Sequence, residues 1–303
     1  MSDKTGGETA PGAGVRSEAA GEARGLRLRD PRANFRALRA LLQARITRFS
    51  AGSGRVAWRI YALSVLALAA IALIFSDAAV GAYRGQWPEG LRRLARAVTD
   101  IGESSWYLIP TGIFIVVALM LDWRALERRR RWLMANGFAL AGYIFLTVGG
   151  SGLIVTLLKR IIGRARPKHF EEHGVLAFDH FASDASFAGF PSGHATTVGA
   201  VAAIVALLFP RLRPAVLILA AALACTRIIV GAHYPSDVIA GLGFGMWFAY
   251  AMATGFAARG LIFEARQGGL PKVRPPFRRF VAGLPGRFFS SVPFLQRKSA
   301  KLR

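Results

Sequence analysis

Long apolar blocks, separated by short basic segments, constrain this chain more than any other feature. Ile60 to Phe75 is almost unbroken, and so are Trp106 to Leu121, Trp132 to Leu158, Ala195 to Phe209, Ala215 to Val230 and Val238 to Ala257. A helix needs ~20 apolar residues to cross the core of a bilayer. Most of the blocks approach or exceed that length, and the first, second and fourth reach it with a few flanking residues. A chain of 303 residues has room for two soluble domains or one multispanning domain, and 53% hydrophobic content with positive mean hydropathy favours the second. The expected fold is all-α, a bundle of six transmembrane helices.

The net charge of +23 gathers at the two ends and in the run Arg124 to Arg131. Nucleic-acid binding is a poor reading of it, because no nucleic-acid fold motif accompanies the charge. Arginine clusters beside spanning helices instead mark the cytoplasmic side and meet anionic lipid head groups. With six spans, the N-terminal region, Arg124 to Arg131, the turn Pro210 to Pro214 and the tail after Ala258 fall on one side, which should be cytoplasmic, so both termini lie inside. Ser76 to Ser105, the long loop Lys159 to His194 and the turn Gly231 to Ser236 then face outward.

Four regions follow. Residues 1–30 are small and polar and are expected to be disordered. Residues 31–56 carry Phe35, Leu38, Leu41, Leu42 and Ile46 at helical spacing among arginines, the pattern of an amphipathic juxtamembrane helix. Residues 57–258 hold the spans, and 259–303 form a basic, aromatic tail expected at the interface. Nothing at the N-terminus resembles a cleaved signal, so the first span is expected to direct insertion. The lone Cys225 excludes an intrachain disulfide and reads as a small buried apolar residue. Arginine in preference to lysine, with abundant alanine and glycine, hints at a bacterium with GC-rich coding.

Three polar clusters interrupt the apolar pattern: KRIIGRARP at 159–167, PSGH at 191–194 and TRIIVGAHYPSD at 226–237. In the first, Lys159 and Arg166 are seven apart and are expected on one helix face, with Pro167 ending the helix at Arg166. Two cations so placed can converge on one phosphate, the arginine as a planar fork and the lysine as a point charge. Arg160 and Arg164, off that face, read as side chains snorkelling to head groups. In the second, Ser192 and Gly193 before an apolar helix offer free backbone N–H groups to an anion, and His194 follows where that anion would sit. In the third, the offset of four lets Asp237 accept from one ring nitrogen of His233, leaving the other free, while Arg227 stands near the outer end of the fifth span.

These clusters resemble the signature of the type 2 phosphatidic acid phosphatase (PAP2) superfamily, K-x6-R-P, P-S-G-H and S-R-x5-H-x3-D, in order and spacing. Thr226 alone departs, standing where the family usually has serine, and it keeps the hydroxyl. The resemblance covers about Leu157 to Gly241. It implies a membrane lipid phosphatase without cofactor or metal. The residue matching His233 would attack phosphorus and form a phosphohistidine, Asp237 would hold it, and His194 would protonate the leaving oxygen and then activate water. Lys159, Arg166, Ser192, Gly193 and Arg227 would bind the phosphate oxygens.

Members of that family act on undecaprenyl diphosphate, phosphatidylglycerol phosphate, phosphatidate and lipid A phosphates. An outward-facing site in the cytoplasmic membrane favours lipid A or undecaprenyl diphosphate. The rival expectations are a phosphotransferase that passes the phosphate to a second lipid, and a non-catalytic transporter or scaffold. The remaining histidines, His169, His173 and His180, lie in the outer loop with Glu171, Glu172, Asp179 and Asp184. Their irregular spacing reads as solvated loop residues in preference to a metal site. Phe178, Phe181, Phe187 and Phe190 of the same loop are expected to cover the site and meet lipid.

Overall fold

The computed structural model describes residues 36, 58–123, 125–181, 183–266 and 269–282. The disordered tail expected at 1–30 lies outside them, as does the amphipathic helix expected at 31–56 apart from Arg36. The described chain is mostly helical: α1 (Trp58–Phe75), α2 (Asp77–Ala82), α3 (Glu89–Thr99), α4 (Ser105–Met120), α5 (Arg128–Ile162), the one-turn α6 (Phe170–His173), α7 (Gly193–Leu208), α8 (Arg213–Ile229), α9 (Pro235–Ala258) and α10 (Pro275–Ala282). A two-residue antiparallel pair, β1 (Phe263–Glu264) and β2 (Lys272–Val273), precedes α10.

The six apolar blocks become α1, α4, α5, α7, α8 and α9 with boundaries shifted by a few residues. Among the described residues, four stretches are long and apolar enough to cross a membrane: Glu89–Met120, Arg128–Ile162, Pro210–Ile229 and Pro235–Ala258. Arg59–Phe75 and Gly193–Leu208 are apolar but shorter, so length supports four of the six expected spans. The shortness of α7 has a local cause. Ser192 caps its start, Pro210 follows its end, and ten of its sixteen residues are buried by neighbouring helices. It is the central helix, packed between α5, α8 and α9. The closest approach is to α9. A Cβ at Gly241 would stand 2.3 Å from the Ser192 carbonyl oxygen, so only glycine lets α9 press against the beginning of α7.

Around this centre, Leu63, Ile74, Trp106, Ile113, Leu153 and Ile218 all point outward and stand exposed. An apolar belt of this extent needs lipid to cover it. That also corrects the expectation for Cys225, which is exposed on α8. Burial statistics from soluble proteins do not transfer to a helix whose outer face meets hydrocarbon.

Two segments carry more structure than their composition announces. Within the segment 76–105, expected to face outward, α3 packs on α8, buries Ala95, leaves Leu91 and Leu94 exposed, and places Arg93 and Arg96 on its exposed flank. The tail expected at the interface contributes Ile262, Phe263, Val273, Phe277, Phe280 and Val281 to the main core cluster. Their rings close one end of the bundle: Tyr143 lies 5.2 Å from Phe263 and 5.3 Å from Phe256, and Trp132 lies 5.9 Å from Phe280. Within this packing the Tyr143 hydroxyl donates to Ala249 O at 2.9 Å. The polar clusters gather at the other end, where α5 finishes and α7 and α9 begin.

Candidate active site

Lys159 rides the last turn of α5, but Arg166 does not share its helix face. The helix stops at Ile162 because Gly163 adopts a left-handed conformation (φ 65°), with its N–H bonded to Lys159 O. A Cβ at Gly163 would fall 1.7 Å from Asp179 O, so a glycine is required where the chain turns. Arg166 lies beyond it in extended backbone, its N–H donating to Ser186 O at 2.9 Å, and Pro167 opens a 3-10 turn. The two cations still converge, by a turn rather than along one helix.

Between them, Arg164 overturns its sequence reading. It is buried, and does not snorkel: NH2 donates to Asp77 Oδ2 at 2.8 Å, and NH1 to Asp237 Oδ1 at 2.5 Å and to Ser236 Oγ at 2.7 Å. Its guanidinium also lies 4.6 Å above the Tyr234 ring. Asp77, from α2, accepts from Ser236 N at 3.0 Å and from Ser236 Oγ as well. Sequence reasoning missed this residue. The available signal was an aspartate at the edge of an apolar span with no cation three or four positions away in the sequence.

This buried network fixes the third cluster. Arg227 O accepts from the N–H groups of Ala232 and His233, which reverses the chain after α8. Tyr234 then caps α9, its N–H donating to Asp237 Oδ2 at 2.9 Å. His233 is buried, and its Nδ1 lies 2.8 Å from Gly189 O. Asp237 Oδ2 is 3.6 Å from the same nitrogen, an ion-pair distance rather than a hydrogen bond. The expected orienting role of Asp237 therefore falls first to a backbone carbonyl, since both carboxylate oxygens are already engaged. Nδ1 carries the proton it donates to Gly189 O, which leaves the Nε2 lone pair free. Burial pushes His233 below the ordinary histidine range, Asp237 opposes that shift, and the charges of Lys159 and Arg166 add to it.

The second cluster joins the other two. Ser192 N donates to Asp237 O at 3.0 Å, and its hydroxyl caps α7 by accepting from Ala195 N at 3.4 Å. A Cβ at Gly193 would stand 3.2 Å from Lys159 Nζ, which places that ammonium beside the free N–H groups that open α7. His194 follows, within interaction range of the charges of Arg227, His233 and Lys159. Arg227 NH1 donates to Thr99 Oγ1 at 2.9 Å, and Thr226 Oγ1 lies 3.1 Å from the same hydroxyl. Thr99, which nothing in the sequence marks, thus aims an arginine at the site.

All eight singled-out residues therefore meet at one end of the bundle. Among the described residues, Lys159, Arg166 and Arg227 have no carboxylate within 4 Å, and the buried Nε atoms of both arginines have no partner. Burial works against the charge of Arg166. Three partly buried cations beside a neutral imidazole and a helix N-terminus call for an anion with several oxygens. The loop between α5 and α7 adds exposed Leu176, Phe178 and Phe181, an apolar surface beside the site.

Such a pocket defines a phosphoryl-handling membrane enzyme. The PAP2 superfamily profile matches residues 138–260, which hold all three clusters. The chain is 41% identical over 245 residues to the lipid A 1-phosphatase of Rhizobium johnstonii, covering 80% of this chain and 99% of that one. It is 42% identical over 221 residues to the lipid A 1-phosphatase of Rhizobium etli, covering 73% and 94%. A decaprenylphosphoryl-5-phosphoribose phosphatase of Mycobacterium tuberculosis is 29% identical over 187 residues, 61% of this chain and 85% of that one. Among solved structures, the transmembrane PAP2 type phosphatidylglycerolphosphate phosphatase of Bacillus subtilis aligns with a TM-score of 0.36 and 19% identity, covering 75% of this chain and 94% of that one. The chain belongs to the PAP2 superfamily. It is a bacterial membrane phosphatase.

Proposed function

We propose that this phosphatase hydrolyses the 1-phosphate of lipid A at the periplasmic face of the inner membrane. The observation that carries the reaction is the set of three cations that, among the described residues, have no carboxylate partner, gathered around the free Nε2 of His233. The two relatives at 41% and 42% identity, both lipid A 1-phosphatases, favour lipid A over undecaprenyl diphosphate. The distribution of arginine supports six spans with both termini cytoplasmic and the site outside. On this reading residues 57–258 form the catalytic domain.

The phosphate would lie on the N–H groups opening α7, held by Lys159, Arg166 and Arg227. These donors are in place before charge develops on the transferring group, and that preorganisation lowers the barrier. The Nε2 lone pair of His233 attacks phosphorus, the bond from phosphorus to the lipid oxygen breaks, and His194 gives that oxygen its proton. His194 then takes a proton from water as the water attacks the phosphohistidine. The P–N bond breaks, inorganic phosphate leaves, and both imidazoles return to their starting state. The Gly189 carbonyl keeps Nδ1 protonated throughout, and Asp237 stabilises the positive charge that His233 acquires.

Purified protein given 32P-labelled lipid A and labelled undecaprenyl diphosphate tests the proposal. Phosphate is expected from lipid A labelled in its 1-phosphate, with a labelled protein trapped on alkaline quenching and lost again in acid, and His233→Ala should lose about 10^4-fold or more of the activity while still inserting in membranes. Normal turnover by His233→Ala sinks the nucleophile assignment. Release from undecaprenyl diphosphate alone sinks the substrate.

A further inference from the structure

Three residues beyond Arg166, one short turn gathers side chains that the phosphate chemistry does not use. The three loop histidines look irregularly spaced as a set, but His180 leaves it: its Nδ1 lies 3.1 Å from Ile161 O and its ring stacks on Phe178. What remains is His169-Phe-Glu-Glu172-His173, where an offset of four puts two imidazoles on the same side of a helical turn with a carboxylate between them. Glu172 Oε2 lies 3.5 Å from His169 Nδ1 and 3.8 Å from His173 Nε2. One ligand atom from each residue falls within 4.8 Å of the other two. Ligands on a tetrahedral zinc ion, at bonds of ~2.0–2.1 Å, stand roughly 3.4 Å apart, so small side-chain rotations close this set on an ion.

The site is also partly rigid. Phe187 stacks on the His169 ring at 5.5 Å and 23°, and His173 packs 5.9 Å from His169. An imidazole held in this way loses little freedom on binding metal. His169 is mostly buried, whereas Glu172 and His173 are open to solvent, so an ion has a path in and room for water in its remaining position.

We propose that His169, Glu172 and His173 form a divalent-cation site of the zinc type, with two imidazole nitrogens and one carboxylate oxygen, at the rim of the phosphate pocket. The ion ties residues 169 to 173 into one turn directly after Arg166 and Pro167. It serves the loop and takes no part in the phosphoryl transfer.

The test uses full-length protein without a polyhistidine tag, in detergent micelles and stripped with a chelator. Calorimetric titration with zinc chloride should show one saturable site, and cobalt(II) should develop the visible absorption of a tetrahedral nitrogen and oxygen site. His173→Ala, His169→Ala and Glu172→Gln should each weaken binding on the order of tenfold or more. All three side chains are at least partly exposed, so the variants should fold, and the stripped wild type should keep its basal activity. Zinc binding unchanged in His169→Ala/His173→Ala overturns the proposal. So does binding lost only in His194→Ala, which would put the ion on the catalytic imidazoles, and so does the absence of a saturable site.

Discussion

The two ends of the bundle are held together by different physics. At one end, Arg164 ties Asp77 and Asp237 into a buried network whose bonds have direction. At the other, Tyr143, Phe256, Phe263, Phe277 and Phe280 pack as an aromatic cluster with one buried hydroxyl bond. Aromatic packing contributes burial and tolerates small changes of angle. A guanidinium shared by two carboxylates does not, and its loops are the ones that carry Arg166, Gly189 and His233. Stability is spread along the molecule, whereas geometry is concentrated where the chemistry is.

The sharpest way to break this contrast is Arg164→Ala. Removing one partner from a buried ion cluster leaves uncompensated charge and costs about 3–5 kcal/mol. Thermal unfolding in detergent should fall accordingly, with activity lost alongside, and an unchanged midpoint would mean the network holds nothing. Arg166→Ala, two residues on, should do the reverse. Losing one charge-stabilising donor is expected to cost about 10^2 to 10^3-fold in kcat/KM, with the unfolding midpoint unmoved. If both variants lose stability equally, the distinction between holding and binding arginines fails.

The pH profile separates the ends next. His233 must be neutral to attack, and burial holds it below about 6.5, so the acid limb of kcat/KM should lie below that pH and fall about tenfold per unit, while the alkaline limb belongs to His194, which must carry the proton it gives. Because the Arg166 charge adds to the depression, Arg166→Ala should move this acid limb to higher pH. A limb that stays put would deny the coupling. The smallest effect belongs to the aromatic end: Tyr143→Phe removes one buried hydrogen bond and should cost about 1 kcal/mol of stability without touching kcat/KM.

The sequence revealed a good deal of this, for reasons that are local. A run such as Trp132 to Leu158 is its own evidence for a helix, and the order and spacing of three polar words point by themselves to Lys159, Arg166, His194 and His233. What it hid depends on contacts across the chain. Arg164 and Asp77 are 87 positions apart, so nothing near either residue distinguishes a buried pair from two boundary charges. The partner of His233 is a main-chain oxygen, which no side-chain pattern can reveal. The end of α5 was misplaced because Pro167 looked like the stop and Gly163 had already provided one. That Phe263, Phe277 and Phe280 join the core was not legible in the tail, because its phenylalanines stand among arginines and only folding back onto α5 and α9 separates the two faces.

Gly241 has a consequence for how such an enzyme can vary. The spacing between the start of α7 and the start of α9 is set where main chain touches main chain, so no side chain there can be trimmed or enlarged to retune the gap between the two histidines. The reacting machinery is thus cast in one size. Accommodation of different lipids has to come from the loop beside the site, where Leu176 and Phe181 stand exposed, away from the contact that sets the catalytic spacing.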